Sequence, residues 1–424
     1  SAPYDVISPA AQAEYYARDP YNVIRLELGH QYPTDTPTDN RYTRAATTYD
    51  DFRRIGALRA DDGPGLYVYD ETFDNEGHRL TRRSVLAAVR LANWDEGVVF
   101  PHEYTLPRAK EDRLRLLTAT RTQFSPLLVT YDDPGKVVEA LTTATDGAPL
   151  VEFELTPGTV AAAASAHRLW RLTDLQSIQT ILSALRNQPL YIADGHHRYE
   201  TALEFRDRRR AEGASQISPS EYVMMALVAT TDPGLVVLPT HRIVRGLGHV
   251  DLERALSALE AIFLVERQEH VVDVPTSSLV TARATSPSDR PAGPSIVALG
   301  LQPGYFTRLT LRPDLDLGQL LPDDPPVLWN LDTLILQRLV FEHVFGLSRR
   351  EAEAGDRIQY TRDQREALEA FSSGDAQFVF FLTSTPMVRI REATRAGVRM
   401  PQKTTYFYPK PVTGLVFFDH SVAW

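Results

Sequence analysis

The sequence has 424 residues, enough for two or three domains and for a substantial buried core. With 43% hydrophobic and 24% charged residues, its composition is that of a globular protein and excludes collagenous, fibrous and disordered chains. The formal charge of −10 disfavours a general nucleic-acid binder, and the absence of cysteine excludes disulfides, thiolate nucleophiles, iron–sulfur clusters and cysteine-ligated zinc.

Hydrophobic periodicity and turn residues predict a mixture of helices and strands. In chain order the predicted elements are strands at 65–70 and 84–91, a helix at 110–121, a helix or linker at 161–165, a helix at 173–185, a strand at 190–193, a helix at 197–210 that ends near Gly213, a strand at 235–238, a β-hairpin at 292–311, a buried helix at 332–345, and strands at 377–382 and 406–418. The segment 274–295 is rich in Pro, Ser and Thr and is expected to be a surface loop. We therefore expect an α+β (mixed α/β) protein with several lobes.

No apolar run approaches the roughly 18 residues of a membrane-spanning helix, and the chain does not open with the basic and apolar regions of a signal peptide. We therefore expect a cytoplasmic protein with no membrane partner. Any metal ion would be held by histidine, carboxylate or carbonyl groups, because the sequence has no cysteine.

Lysine is unusually rare in this chain. Of the 45 basic residues 41 are arginines, and the lysines are Lys110, Lys136, Lys403 and Lys410. This bias suggests that lysines serving only as solvated charge have mostly been exchanged for arginine. Those that remain are expected where a compact ammonium is needed, although chance survival on a solvated face is the alternative for any one of them.

The clearest candidate site is the segment ADGHHRYET, which begins at Ala193. A buried strand leads into a glycine turn that opens a helix, so that backbone N–H groups point at a space where anions bind. The residues suited to phosphate are Gly195, His196, His197 and Arg198. Asp194 is expected either to cap the helix or to hold a divalent cation. The alternative is an ordinary capped helix with surface histidines.

Another candidate site precedes the helix at 110–121. His102 and Glu103 favour acid–base or metal chemistry, and the helix that follows carries Lys110 and Arg113. A zinc-peptidase motif is excluded, because it requires a second histidine where this sequence has Leu106. The alternative for this segment is a charge pair in a loop.

Two further segments carry polar groups that suit anion binding. His241 and Arg242 follow an apolar strand, and Lys403, Thr404 and Lys410 lie in the C-terminal segment MPQKTTYFYPK. The structural alternatives are a His-Arg pair with no ligand and aromatic residues that belong to the core. The sequence contains no Walker loop, kinase glycine loop, dinucleotide fingerprint or nucleophile elbow.

Five motifs, in this order, make the sequence resemble a family known from bacteria and archaea. They are Pro3 to Ile7, His102 and Glu103 with Lys110 and Arg113, Ala193 to Leu203, Pro239 to Arg242, and Met400 to Lys410. The family is catalogued as domain of unknown function ten-fifteen, and the resemblance covers nearly the whole chain. The DGHHR segment is also similar to the motif of the ParB and sulfiredoxin-like superfamily, which includes archaeal free-serine kinases. In that superfamily an equivalent strand–turn–helix binds nucleotide phosphates. Sulfiredoxin chemistry is excluded because it needs a cysteine.

The resemblance implies four regions along the chain. Residues 1–150 form an α/β region with the PYDVI and HExT motifs, 151–250 a ParB-like region with DGHHR and PTHR, 251–323 an α/β insert with the Pro/Ser-rich loop, and 324–424 a C-terminal region with MPQKTTYFYPK. The fold expected at DGHHR is a ParB-like and sulfiredoxin-like core.

The motifs and the resemblance together favour a phosphotransferase that acts on a small hydroxyl metabolite, with free serine as the best candidate, ATP or ADP as donor, and Mg²⁺. Asp194 would hold the metal, Glu103 or His102 would be the base, and His197 would be a further catalytic group. The expected phosphate or nucleotide ligands are Gly195, His196, Arg198, His241, Arg242, Lys110, Arg113, Lys403, Thr404 and Lys410. These motifs are expected to converge on one pocket.

Two alternatives remain open at this point. The same pocket would suit a hydrolase of phosphomonoesters such as phosphoserine, and the similarity to ParB would also fit a nucleotide-sensing module without enzymatic activity. The expected partners are a small-molecule substrate and a nucleotide, and the negative net charge argues against nucleic acid.

Overall fold

The computed structural model describes residues 1–105, 107–133, 135–156, 164–269, 293–353 and 357–422. Helices and strands alternate along the chain, which confirms the predicted mixed α/β class. The contacts divide the chain into two compact units, one of Ser1–Val236 with Phe407–Trp424 and one of Val237–Tyr406. The boundaries of these two units do not coincide with those of the four regions expected from the sequence. The division into four regions stays a prediction.

The described helices and strands are numbered in chain order. The helices are α1 Pro9–Arg18, α2 Ile24–Glu27, α3 Arg41–Arg54, α4 Pro107–Thr120, α5 Lys136–Ala144, α6 Leu175–Leu185, α7 His196–Ala211, α8 Leu252–Ile262, α9 Leu317–Leu320, α10 Asp332–Ile335, α11 Arg349–Glu353, α12 Gln364–Ser372 and α13 Met387–Arg395. The strands are β1 Leu66–Asn75, β2 His78–Arg90, β3 Val99–Phe100, β4 Thr122–Gln123, β5 Leu127–Tyr131, β6 Val151–Leu155, β7 Ser165–Leu172, β8 Leu190–Asp194, β9 Tyr222–Ala229, β10 Val236–Leu238, β11 His241–Val244, β12 Phe263–Glu269, β13 Ser295–Leu299, β14 Tyr305–Leu311, β15 Ile358–Thr361, β16 Phe378–Phe381, β17 Tyr406–Tyr408 and β18 Phe418–Asp419.

The first unit is built on an eight-stranded sheet with the order β3-β8-β5-β9-β2-β1-β7-β6. Most neighbours are antiparallel, but β3 with β8 and β5 with β9 are parallel. Strand β5, with the sequence LLVTY, is buried throughout, and its side chains share a hydrophobic core with those of β8 and α7. Because these strands are buried on both faces, their sequences are nearly continuous runs of apolar residues. This packing fixes the end of β8, where the DGHHR motif begins.

The second unit contains a six-stranded sheet with the order β12-β14-β13-β16-β11-β15. Strands β13 and β14 form an antiparallel hairpin, as predicted for 292–311. Strand β11 lies between β15 and β16, with Arg242 opposite Tyr360 on one side and Phe380 on the other. All of β11 is buried, so the polar residues His241 and Arg242 enter the interior of this unit.

Several predicted elements are confirmed within a few residues, including the helices now assigned as α4, α6 and α7. The single strand predicted at 406–418 is wrong, because only β17 and β18 are extended at its two ends. Pro409 and Pro411 interrupt it, since neither can donate a backbone hydrogen bond to a ladder.

Other sequence expectations are modified by the structure. The helix predicted at 332–345 begins as α10 and continues as a π-helix over Leu336–Glu342. His241 follows strand β10, as predicted, and is itself the first residue of strand β11. Residues 161–163 and 274–292, predicted as a helix or linker and as most of a loop, lie outside the described residues. Within the described ranges no helix is both long and apolar enough to cross a membrane.

Candidate functional site

The DGHHR motif forms the predicted strand, turn and helix in the first unit. Strand β8 ends at Asp194, Gly195 takes the left-handed conformation with φ of +101°, and α7 begins at His196. The residue before the helix is therefore a glycine, which has no side chain to bond the first N–H groups of α7. A helix terminus without a side-chain cap suits an anion, because the exposed N–H groups and the helix dipole both favour negative charge.

We expect Gly195→Ala to destabilise the protein by more than the left-handed backbone alone would cost. An added Cβ would lie 3.1 Å from Nη2 of Arg198 and 3.1 Å from Cγ of Leu127, so Arg198 would have to move. The matched control is Gly213→Ala, where φ is +92° but no atom lies within 4 Å of the added Cβ.

Both substitutions are expected to lower the free energy of unfolding by roughly 1–2 kcal/mol, because alanine is strained at positive φ. Only Gly195→Ala is expected to lose further stability through crowding. Urea denaturation measures the difference in the free energy of unfolding. Equal losses in the two variants would show that Arg198 adjusts without cost.

An ion cluster stands at this helix terminus. Oδ2 of Asp194 accepts a hydrogen bond of 2.7 Å from Nη2 of Arg198, and Oδ1 lies 2.9 Å from Nζ of Lys410. Lys410 also pairs with Asp5. The side chains of Asp194, Arg198 and Lys410 are only 17%, 12% and 12% exposed, so these charges interact through a largely dry environment.

The pKa values of this cluster follow from its geometry. Burial by itself would raise the pKa of Asp194, but the charges of Lys410 and Arg198 outweigh burial and hold it well below its ordinary value. Burial likewise opposes the charge of Lys410, but Asp194 and Asp5 raise the pKa of its ammonium above the ordinary value. The carboxylate of Asp194 and the ammonium of Lys410 are therefore both charged at neutral pH.

Arg198 is held in place from a second direction. Its Nη1 donates to Oγ of Ser125 at 2.9 Å and to the carbonyl of Pro126 at 2.6 Å. The guanidinium plane thus spans from the loop before β5 to Asp194. A guanidinium fixed at both ends loses little freedom when a ligand binds, and this favours binding.

His102 and His196 join the His102-Glu103 segment to the start of α7. The backbone N–H of His102 donates to Nε2 of His196 at 3.1 Å, and the two rings meet edge to face with centroids 4.5 Å apart. Nδ1 of His102 donates to the carbonyl of Ile192 at 2.8 Å. Both imidazoles are buried, so the structure gives them a packing role, and their direct contact with a substrate stays a prediction.

His197 and Glu103 belong to the more open part of the same terminus. Burial lowers the pKa of His197, and the negative charges of Glu103, Glu200, Asp5 and Asp194 only partly oppose this effect. The imidazole of His197 is therefore neutral at pH 7. Because the charge of Glu103 acts on the imidazole of His197, the carboxylate predicted as the base lies close to the helix terminus.

Lys110 and Arg113 lie on α4, which packs against α7. Nζ of Lys110 pairs with Glu200 at 3.0 Å, about one turn into α7. Arg113 points inward, where it pairs with Glu27 at 3.3 Å and stacks over the ring of Tyr4 at 3.9 Å. It therefore supports the turn that carries Asp5, and phosphate binding by Arg113 stays a prediction.

The other predicted ligands lie in the second unit. Nδ1 of His241 accepts the N–H of Leu382 at 3.2 Å, and Arg242 donates to the carbonyl of Lys403 at 3.2 Å. The Thr404 hydroxyl lies 3.1 Å from that of Thr333. The convergence of these residues with Asp194 on one pocket stays a prediction.

The geometry does not fit the metal role predicted for Asp194. Both carboxylate oxygens already contact cations, namely Arg198 and Lys410. In the described part of the chain there is no group of three or more histidine or acidic side chains that could hold a metal ion. A Mg²⁺ ion would need hard oxygen ligands that these residues do not offer together.

Three residues at this site were not predicted from the sequence. Asp5 binds Lys410, Ser125 binds Arg198, and Glu200 binds Lys110. Asp5 belongs to the PYDVI motif and Glu200 to the ADGHHRYET segment, so the motifs contained these two but gave no reason to assign them a role. No local signal marks Ser125.

Comparison with solved structures gives distant likenesses only. A conserved hypothetical protein from Pyrococcus furiosus is 14% identical, with 78% of this chain and 94% of that chain covered and a TM-score of 0.34. A free serine kinase in complex with AMP is 13% identical, with 76% and 86% covered and a TM-score of 0.34. SbnI with a C-terminal truncation, from Staphylococcus aureus, is 11% identical, with 77% and 85% covered and a TM-score of 0.33.

These values are too low to assign an activity to the chain, and the relation to ParB stays a prediction. No curated protein sequence matches it. A family model described as "Protein of unknown function (DUF1015)" matches residues 1–334, which is well over half of the sequence and confirms the family predicted from the motifs. The chain therefore belongs to the DUF1015 family.

Proposed function

We propose that this protein is a phosphotransferase that moves a phosphoryl group from ATP or ADP to the hydroxyl of a small metabolite, with free serine as the best candidate. The observation that carries the proposal is the cluster of Asp194, Arg198 and Lys410 at the N-terminus of α7. Two fixed cations and a helix terminus without a side-chain cap form a favourable environment for nucleotide phosphates.

In this proposal Asp194 holds Arg198 and Lys410 in place for the nucleotide phosphates. Without a carboxylate between them, Arg198 and Lys410 would repel each other across a short distance in a poorly hydrated site. Asp194 favours the charged form of Lys410 and orients both cations before the nucleotide arrives. Charge fixed in advance needs no reorganisation in the transition state, which is the main source of electrostatic catalysis.

The transfer itself requires positioning and charge stabilisation. The acceptor oxygen forms a bond to the terminal phosphorus of the donor, and the bond from that phosphorus to the nucleotide oxygen breaks. The hydroxyl proton passes to the carboxylate of Glu103, while Lys410 and Arg198 stabilise the negative charge on the phosphoryl oxygens. His197 is neutral at pH 7, so its imidazole can hydrogen-bond the acceptor without adding charge. No step is assigned to a metal.

Serine is the preferred acceptor because the DGHHR segment is similar to that of free-serine kinases. The site chemistry alone requires a hydroxyl compound and does not distinguish serine from other small alcohols. A panel of acceptors is therefore part of the test.

The test incubates the purified protein with serine, other hydroxyl compounds and each nucleotide in Mg²⁺ buffer, and detects products by mass spectrometry. We expect phosphoserine to form with ATP or ADP, and Lys136→Met to leave the rate unchanged because this residue lies at the start of α5, outside the ion cluster. Phosphate release from phosphoserine alone, without transfer from any nucleotide, would replace the proposal by a phosphomonoester hydrolase. Nucleotide binding without turnover of any acceptor would replace it by a nucleotide-sensing module.

A further inference from the structure

The guanidinium of Arg198 is fixed by hydrogen bonds rather than by close packing on its inner side. Arg198 and Ser125 line a small cavity of about 50 Å³ whose surface is mostly apolar. This space is large enough for a few water molecules, so the packing there is loose. Nη1 of Arg198 is held by Oγ of Ser125 at 2.9 Å and by the carbonyl of Pro126 at 2.6 Å. The orientation of the Ser125 hydroxyl therefore affects the position of Arg198.

The chemistry of the groups sets the direction of the hydrogen bonds at Ser125. Arginine can only donate, so Oγ of Ser125 accepts from Arg198, and the one hydrogen of the hydroxyl is left for another partner. That partner is Glu27, whose Oε1 accepts from Oγ of Ser125 at 3.4 Å. The carboxylate thus turns the hydrogen of the hydroxyl away from Arg198 and its lone pairs towards the guanidinium.

Glu27 is itself fixed by Arg113. Nη1 of Arg113 donates to Oε1 of Glu27 at 3.3 Å and to the backbone carbonyl of Glu27 at 3.1 Å. Asp112 holds another edge of the same guanidinium, because its Oδ2 accepts from Nε of Arg113 at 2.8 Å. Glu27, Ser125 and Arg113 are only 4%, 5% and 6% exposed, so water competes little for these hydrogen bonds.

We propose that Glu27 is a positioning residue that acts on Arg198 through Ser125 and so prepares the anion site at the start of α7. The chain of hydrogen bonds that begins at Arg113 ends at Arg198, whose Nη2 binds Asp194. A guanidinium that is held in place beforehand loses less freedom when a phosphate binds. The inference rests on the proposed function, because it assigns the nucleotide phosphates to Arg198.

Isothermal titration calorimetry of the full chain with ADP tests this proposal. We expect Ser125→Ala to weaken ADP binding by about three- to tenfold, because the guanidinium of Arg198 loses one hydrogen bond and keeps those to Pro126 and Asp194. Glu27→Met removes the acceptor but keeps a side chain of similar length, and is expected to weaken binding to a smaller extent.

Glu27→Gln is the conservative variant. Its amide oxygen can accept from Ser125 as Oε1 of Glu27 does, so ADP is expected to bind almost as tightly as to the wild type. Equally weak binding in Glu27→Gln and Glu27→Met would show that Glu27 acts through its charge rather than through the hydroxyl, and would overturn the proposal.

The double variant Ser125→Ala with Glu27→Met tests the route of the effect. If Glu27 acts through Ser125, the two effects are not additive, and the double variant binds ADP no more weakly than Ser125→Ala alone. Losses that add up would show two independent routes and would overturn the proposal.

The matched control is Asp112→Asn. Asp112 binds the same arginine as Glu27, but its hydrogen bonds go to Arg113, Arg41 and Tyr42 and not to Ser125. Asp112→Asn is therefore expected to lower the melting temperature and to leave ADP binding unchanged. ADP binding weakened as much as in Glu27→Met would show a general loss of structure around Arg113, and would contradict a specific role of Glu27.

The titration of the wild type separates this inference from the proposed function. Failure of ADP to bind the wild type would overturn both. ADP that binds the wild type and Ser125→Ala equally tightly would overturn the positioning role of Glu27 and Ser125 alone, and would leave the proposed function intact.

Discussion

Lys410→Met is expected to lower turnover by about 10²–10³-fold, the usual cost of removing one preorganised charge donor from a transition state. Nζ of Lys410 lies 2.9 Å from Asp194 and also pairs with Asp5, so its position is fixed by two carboxylates. The methionine side chain has a similar length but supplies no charge to the phosphoryl oxygens. Initial rates of phosphoserine formation measure this effect.

Lys410→Arg separates catalysis from stability. Arginine keeps the positive charge between the two carboxylates, so the melting temperature is expected to stay close to that of the wild type. Its longer, planar group places that charge differently, and turnover is expected to fall. The control is Lys136→Arg, which is expected to change neither quantity. Equal rates in both arginine variants would remove Lys410 from the catalytic machinery, and a large loss of melting temperature in Lys410→Arg would give it a structural role.

Asp194→Asn is expected to reduce both turnover and stability. It leaves Arg198 and Lys410 without the carboxylate they share, and loss of one member of a buried ion cluster typically costs about 3–5 kcal/mol. The control is Glu152→Gln, because Glu152 forms an exposed pair with Arg168 and such pairs contribute about 0–1 kcal/mol. Urea denaturation at neutral pH gives both values.

The stability of the wild type is expected to depend on Asp194 in acid. Its pKa in the folded protein lies below that of the unfolded chain, which is about 3.9 for an aspartate. The stabilisation is therefore fully present above pH 4 and is lost as the pH falls towards the folded value. Melting temperatures of wild type and Asp194→Asn should differ at pH 7 and approach each other below pH 4. A constant difference across this range would show that the ionised carboxylate is not the source of the stability.

The parts of the fold that depend on local sequence were predictable. The strand, glycine turn and helix of DGHHR were predicted almost residue by residue, because an apolar run, a residue suited to positive φ and a helical period follow one another directly. The helix that carries Lys110 and Arg113 was predicted for the same reason. In contrast, the single strand expected at 406–418 was wrong, because Pro409 and Pro411 interrupt its apolar and aromatic pattern.

Contacts between distant parts of the chain could not be predicted from the residues themselves. Lys410 and Asp5 are 405 positions apart, and only the folded chain shows that they share an ion pair beside Asp194. The rarity of lysine did single out Lys410, but gave no partner for it. Arg113 was expected to contact phosphate because its motif is basic, but its ion pair with Glu27 and its stacking over Tyr4 direct it inward. The sequence also gave no sign that the C-terminal segment from Phe407 joins the first unit.

The most direct test of the central claim is a crystal structure of the full chain with bound ADP. We expect the phosphates to lie at the N-terminus of α7, against the backbone N–H groups of residues 195–198, with Arg198 and Lys410 within hydrogen-bonding distance of phosphate oxygens. ADP bound at another place, with no phosphate at this helix terminus and the contact between Asp194 and Lys410 unchanged, would contradict the account.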